Sequence, residues 1–156
     1  MQNNETIIWE DKSSQILNFL AHTLSLIVMI GLGIGGKFYP IVWLAIPIVL
    51  AFTLWNFLVV RFQSYKLTNE RIIIKKGVFN RITDELELYR VKDHRLEQPF
   101  FLRIFGLGNI IIITSDQLNR EVLISAVYNS EEVRENIRKL VEARRFSLGV
   151  RELDTN

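Results

Sequence analysis

Cysteine is absent from the 156 residues, which removes disulfide frameworks, thiolate metal sites and cysteine nucleophiles together. Histidine is nearly as scarce, at two. One of the pair, His22, lies inside a long apolar stretch, so no conventional metal-ligand set can be assembled, and neither a metal nor a cofactor is expected. Charge is missing from two long runs. Residues 16–34 contain no Asp, Glu, Lys or Arg, and neither do residues 38–60. At ~1.5 Å of rise per helical residue the first run reaches roughly 29 Å, close to the ~30 Å hydrocarbon core of a bilayer; the second is somewhat longer. The pair predicts a transmembrane helical hairpin, interrupted at Gly35, Gly36 and Lys37. A cleaved signal peptide fits less well, because residues 1–15 carry Glu5, Glu10 and Asp11 against Lys12 alone, the reverse of a positive leader, and a second apolar run follows at once.

Flanking charge orients the hairpin. Between residues 61 and 81 stand Arg61, Lys66, Arg71, Lys75, Lys76 and Arg81, opposed by Glu70, whereas the loop between the runs offers only Lys37. Basic flanks stay on the cytoplasmic side. Both termini are therefore expected in the cytoplasm, at a plasma or inner membrane. Residues 1–15 read as a polar tail or an interfacial clamp, with Trp9 suited to the headgroup level. Asn18, His22 and Ser25 recur at helical spacing on one stripe, which predicts a polar seam between the helices with Asn56 or Thr53 of the second run as partner. A proton or ion path is the competing reading of that stripe, weakened by the absence of Asp or Glu from both spans. Gly31 and Gly35, four apart, permit close helix contact, and with Gly33 and Gly36 they equally fit a loosened turn. Pro40 suits a first turn, and Pro47 predicts a kink inside the second helix.

Past residue 60 the texture becomes β-rich. Residues 62–67 and 71–76 read as strands about a turn at Thr68, Asn69 and Glu70, and Gly77 marks the next reversal. Residues 82–88 alternate as a half-buried strand, continued across a bend by 91–98. An apolar connection through Phe100, Phe101, Leu102, Ile104 and Phe105 ends at Gly106 and Gly108. Then come strands at 110–114 and 121–127 about a polar turn at 115–120. Asn129 and Glu132 have the spacing of a capping box before an amphipathic helix bearing Val133, Ile137, Leu140 and Val141 on one face. The last stretch, 146–156, reads as a flexible tail.

The ordered set Tyr65, Leu67, Thr68, Arg71, Ile72, Gly77 and Val78, then Val91, Asp93, Gln98, Arg103, Gly106, Leu107, Gly108 and Thr114, resembles the bacterial pleckstrin-homology (PH)-like domains that follow paired membrane helices. His94, Arg95, Pro99 and Phe100 depart from that pattern. The resemblance covers residues 61–145 and, with the hairpin, nearly the whole chain. It implies an α+β membrane protein: a strongly bent antiparallel sheet or partial barrel with a C-terminal capping helix. It also implies a non-enzymatic module for membrane-proximal binding or assembly.

Three groups of residues are candidate sites. Lys75, Lys76 and Arg81 flank the loop at Gly77 and could hold a phosphate or lipid headgroup, or serve topology alone. Asn18, His22, Ser25 and Asn56 form the polar seam. Ile110, Ile111, Ile112 and Ile113 break the alternation of a half-buried strand, so both faces should be covered, one of them by a helix, lipid or partner chain. Arg103 is expected in a structural hydrogen bond, and His94 beside Asp93 lacks a nucleophile in any recognised setting. The leading functional expectation is a membrane-anchored scaffold or adaptor, self-associating or pairing with a related PH-domain membrane protein; membrane lipids are partners and nucleic acid is not. The alternatives are an anionic-lipid sensor using the basic loop, and an accessory subunit of a transporter or membrane enzyme.

Overall fold

A computed structural model describes residues 5–116 and 120–149. A short strand, β1 (Ile7–Lys12), precedes a 3-10 turn at Gln15–Asn18 and the first long helix, α1 (Phe19–Gly35). A second 3-10 turn, Pro40–Ala45, leads into α2 (Ile46–Arg61). Both helical stretches, Gln15–Gly35 and Pro40–Arg61, are long and apolar enough to cross a membrane. In the connection between them Gly36 meets the indole of Trp43, which a Cβ at that position would overlap; Gly31 faces open space. Pro47 does not kink a helix interior. It is the second residue of α2, where its missing N–H falls among donors that have no intrahelical acceptor.

The expected bent sheet resolves into two. β1, β2 (Ser64–Thr68), β3 (Arg71–Lys76) and β4 (Ile82–Glu87) make an antiparallel sheet in that order. β5 (Val91–Glu97), β6 (Leu107–Thr114) and β7 (Glu121–Tyr128) make the other. Residues 82–98 are thus not one strand across a bend: a 3-10 turn at Leu88–Arg90 carries the chain from one sheet to the other, with Leu88 fully buried at the pivot. The connection at 100–105 contains a short helix, α3 (Phe100–Ile104). α4 (Ser130–Ser147) extends into the stretch 146–156 expected as a tail; residues 117–119 and 150–156 lie outside the described residues.

Period-2 alternation builds the core. Tyr65, Leu67, Ile72, Ile74 and Leu86 face inward from the first sheet, and Val91, Ile110, Ile112, Ile124 and Val127 from the second. α4 lays Val133, Ile137 and Val141 across them. Burying a side chain of this size contributes roughly 1.5–3 kcal/mol relative to leaving it exposed, so these positions dominate the stability of the β-rich part. The capping box does not form. Asn129 takes a left-handed backbone, φ 48°, with no side-chain cap to the helix, and Ser130, buried beneath it, accepts a hydrogen bond from Gln98 Nε2 at 3.3 Å.

The N-terminal segment is not a tail. β1 pairs with β2, setting Trp9 opposite Leu67 and Asp11 opposite Tyr65, and Trp9 packs against the core. Beyond β1, the Ser13 hydroxyl donates to the Ser125 carbonyl at 3.0 Å and the Ser14 N–H to the Ala126 carbonyl at 3.1 Å. The Tyr65 hydroxyl accepts from the Ser125 N–H at 3.0 Å. Residues on either side of the helical hairpin are therefore stitched into the same pair of sheets.

Candidate functional site

Alternation also decides which charges meet. In β2, Tyr65 and Leu67 face the core, which turns Ser64 and Lys66 outward; in β3, Ile72 and Ile74 turn Ile73 and Lys75 outward. Strand register sets Lys12 beside Ser64 and Ser64 beside Lys75. Arg61, the last residue of α2, and Arg81, just before β4, complete the rim. The result is a cleft of about 410 Å³ lined by Glu10, Lys12, Arg61, Phe62, Ser64, Lys66, Lys75 and Arg81. Five bases face one acid there, and that acid is engaged: Glu10 lies 3.0 Å from Lys66 Nζ. Lys12, Arg61, Lys75 and Arg81 have no ion-pair partner among the described residues. Clustered cations without counter-charges make a local positive potential suited to an anion with several acceptor oxygens, such as a phosphate group.

The turn beside the cleft depends on Gly77. Its φ of 110° disfavours any side chain, and a Cβ there would strike the Asn80 carbonyl. This reversal also separates the three bases that the sequence groups together. Lys76 lies opposite Ile82, on the inward side of the sheet, and pairs with Asp84 at 3.2 Å. Lys75 and Arg81 stay in the cleft; Lys76 does not. The residues that join them instead, Lys12, Arg61 and Lys66, were missed for two reasons. The outward alternation of Lys66 and Lys75 is legible in the sequence, but the placement of Lys12 requires β1, and Arg61 enters the sequence reading only as a base that orients the hairpin.

At the far end of the same outer face the charges are balanced. Arg71 Nε lies 3.1 Å from Glu5 and its Nη1 donates to Glu85 at 2.7 Å. The hydrogen bond to Glu85, and then the charge of Glu5, hold the Arg71 guanidinium above its ordinary pKa. The Thr68 hydroxyl bonds Glu5 at 2.8 Å and closes the group.

Of the polar seam, the structure brings Asn18 to α2. Its Nδ2 donates to the Asn56 carbonyl at 2.9 Å, and Gln15 Nε2 donates to the Phe57 carbonyl at 3.1 Å. Ser25 is buried. His22 is half-buried and has no hydrogen bond to Asn56 or Thr53; those two side chains bond carbonyls of their own helix, Phe52 and Val49. Side chains therefore meet backbone across the helices, where the spacing had suggested side chain to side chain.

The isoleucine run divides by face. Ile110 and Ile112 are fully buried, whereas Ile111 and Ile113 are half-covered on the outer side of the second sheet, opposite Leu123 and Glu121. α4 packs on the inner side, and among the described residues the outer side is paired with its cross-strand neighbours. Arg103 is exposed and has no side-chain hydrogen bond among the described residues, contrary to the structural role expected of it. His94 faces α4, opposite Ile112. No cluster of His, Cys, Asp and Glu suited to a metal occurs among the described residues.

The family description "Bacterial PH domain" matches residues 16–145. The chain belongs to the bacterial PH domain family. In this bacterial PH domain the match takes in both apolar helices and leaves β1 outside. Among solved structures, the chain is similar to the 2.00 Å crystal structure of a DUF1696-family protein with a pleckstrin-homology domain from Shewanella loihica PV-4, at 15% identity and a TM-score of 0.39 over 54% of this chain and 71% of that one. A search of curated proteins gave no match.

Proposed function

We propose that this bacterial PH domain is a non-enzymatic, membrane-anchored module whose two apolar helices cross the bilayer and whose basic cleft engages the phosphates of anionic headgroups beside the end of α2. The cleft of five bases around a single engaged acid carries the reading. Support for the span comes from exposure: 11% of the most apolar window of the first helical stretch and none of that of the second is buried within the protein. A core helix of a water-soluble domain would be largely covered. Lipid supplies the missing cover. The bases at the end of α2 and beyond then keep both termini on the cytoplasmic side of an inner or plasma membrane.

The test uses the full chain in detergent, with native mass spectrometry counting retained phosphatidylglycerol against phosphatidylcholine. The parent retains the anionic lipid preferentially, and the combined Lys12→Ala, Lys75→Ala, Arg81→Ala variant loses the preference. An unchanged preference removes the cleft from the account.

Assembly is the second reading, and the outer face of the second sheet favours it. Ile111, Ile113 and Leu123 form a short apolar strip there, with Leu123 half exposed. The module acts in this reading as a scaffold, through self-association or pairing with a related PH-domain membrane protein. Crosslinking in membranes then yields a dimer or mixed oligomer that Leu123→Lys abolishes; monomer alone counts against it.

A further inference from the structure

The β-rich part of the molecule exposes large apolar side chains in several places, Leu123 on β7 and Phe146 near the end of α4 among them, and two others each lie against one of the long helices. The first is the β3–β4 turn. Phe79 is 88% exposed yet stacks on Trp55 of α2, with ring centroids 5.8 Å apart. Trp55 stands six residues before Arg61, so the tip of the turn reaches back about 9 Å along α2 from its basic end. The second place is α3. Phe100 is 74% exposed and Ile104 60%, with Phe101 and Phe105 also uncovered. An apolar pocket of about 260 Å³ joins Phe101 and Phe105 to Leu17 and Leu20 at the start of the first helical stretch. A contiguous exposed apolar surface of this kind marks an interaction site, and here it is continuous with helices that have their own uncovered faces.

From this placement we infer that the domain seats on the bilayer through two apolar feet, the Phe79 turn beside α2 and α3 beside α1, which enter the boundary between headgroups and acyl chains. The inference rests on the reading that α1 and α2 span the membrane. Depth decides for lipid over a protein partner: a side chain level with Trp55, inside an apolar span, meets hydrocarbon or its edge. Aromatic side chains favour that level, and interfacial elements bury their apolar face about 5–10 Å into it. Lys75 and Arg81 flank the Phe79 turn, so seating the turn brings the basic cleft to the phosphate layer. The two feet fix the domain's tilt on the bilayer, adding to the two connections, residues 12–15 and 61–64, that join the sheets to the helices.

The absence of cysteine makes the test direct. Single variants Phe79→Cys, Phe101→Cys, Leu24→Cys and Ala143→Cys of the full chain carry an environment-sensitive fluorophore in vesicles of phosphatidylglycerol and phosphatidylcholine. Nitroxide lipids and aqueous iodide serve as quenchers. At 79 and 101 a shallow nitroxide lipid quenches about threefold or more above the label at 143, and iodide quenches correspondingly less, as an interfacial depth requires. If 24 is quenched by lipid nitroxide while 79 and 101 behave like 143, the feet are refuted and the span stands. Labels at 79 and 101 protected from iodide but untouched by lipid nitroxide point to a protein partner and also refute the feet. If 24 itself is open to iodide, the span fails and the inference fails with it.

Discussion

The two ends of one sheet face treat charge in opposite ways. Near α2, Lys12, Arg61, Lys66, Lys75 and Arg81 surround Glu10 alone. About 13 Å from Lys75 along β3, Arg71 is held by Glu5 and Glu85 on either side. The strands and the alternation are common to both ends, so secondary structure does not explain the difference. The far end has the form of a structural ion group, in which each charge is met. At the near end the mutual repulsion of the bases is left unrelieved, which weakens the fold unless an anion enters. In the proposed function that anion is a lipid phosphate, and the repulsion becomes binding free energy.

The contrast breaks most visibly at the near end. Each base beside an anionic surface contributes about 1 kcal/mol, so removing Lys12, Lys75 and Arg81 together lowers phosphatidylglycerol retention about a hundredfold. The same variant unfolds at an unchanged or slightly higher denaturant concentration, because like charges are removed. Gly77→Ala comes next. A left-handed backbone and the Asn80 carbonyl both oppose a Cβ, and the cost of about 2 kcal/mol appears as a lower unfolding midpoint, with Arg81 displaced and lipid retention reduced.

Arg71→Ala tests the far end. Stability falls by about 1 kcal/mol in urea while lipid retention is unaltered, since the loss leaves Glu5 and Glu85 facing each other across a partly exposed site. The guanidinium is held above its ordinary pKa, so its contribution is full at every pH below that ordinary value and fades only as pH rises through the elevated one. The stability gap between parent and variant therefore stays constant from about pH 7 to about pH 10. Glu10→Gln sharpens the contrast in the other direction, raising anionic-lipid retention by about two- to fivefold as the one opposing charge is neutralised. Lys76→Ala gives the smallest change. Its side chain lies through the sheet on Asp84, so lipid retention stays within about twofold, whereas equal loss on Lys76→Ala and Lys75→Ala would mean that the cleft does not discriminate faces.

Much of the architecture was legible locally. Strand β3 falls on the predicted residues, because three isoleucines between a polar turn and Gly77 leave little choice. The second-sheet hairpin and the amphipathic C-terminal helix follow from periods of two and 3.6. What failed was non-local. The strand Ile7–Lys12 is short, charged on its outer face and paired with residues across the whole helical hairpin, so nothing adjacent in sequence announces it. The 3-10 turn at Leu88–Arg90 passes for a strand bend because its buried residue, Leu88, keeps the alternation. Asn129 and Glu132 have capping spacing, but the left-handed backbone at Asn129 points the cap away.

The candidate site divides along the same line. Proximity in sequence to Gly77 groups Lys75, Lys76 and Arg81; the fold keeps Lys75 and Arg81 in one cleft and sets Lys76 on the other face of the sheet. Adjacent residues of a strand point to opposite faces, and a turn does not change that. The amino-acid sequence by itself determined the two uncharged apolar runs, the β-rich segment after them and the excess of bases at their junction, because each is a property of composition within one window. Only the tertiary structure decided which of those bases share a face, that Lys12 joins them, and that Phe79 lies against Trp55. Strand register and the crossing between sheets bring together residues tens of positions apart, and no local pattern carries that information.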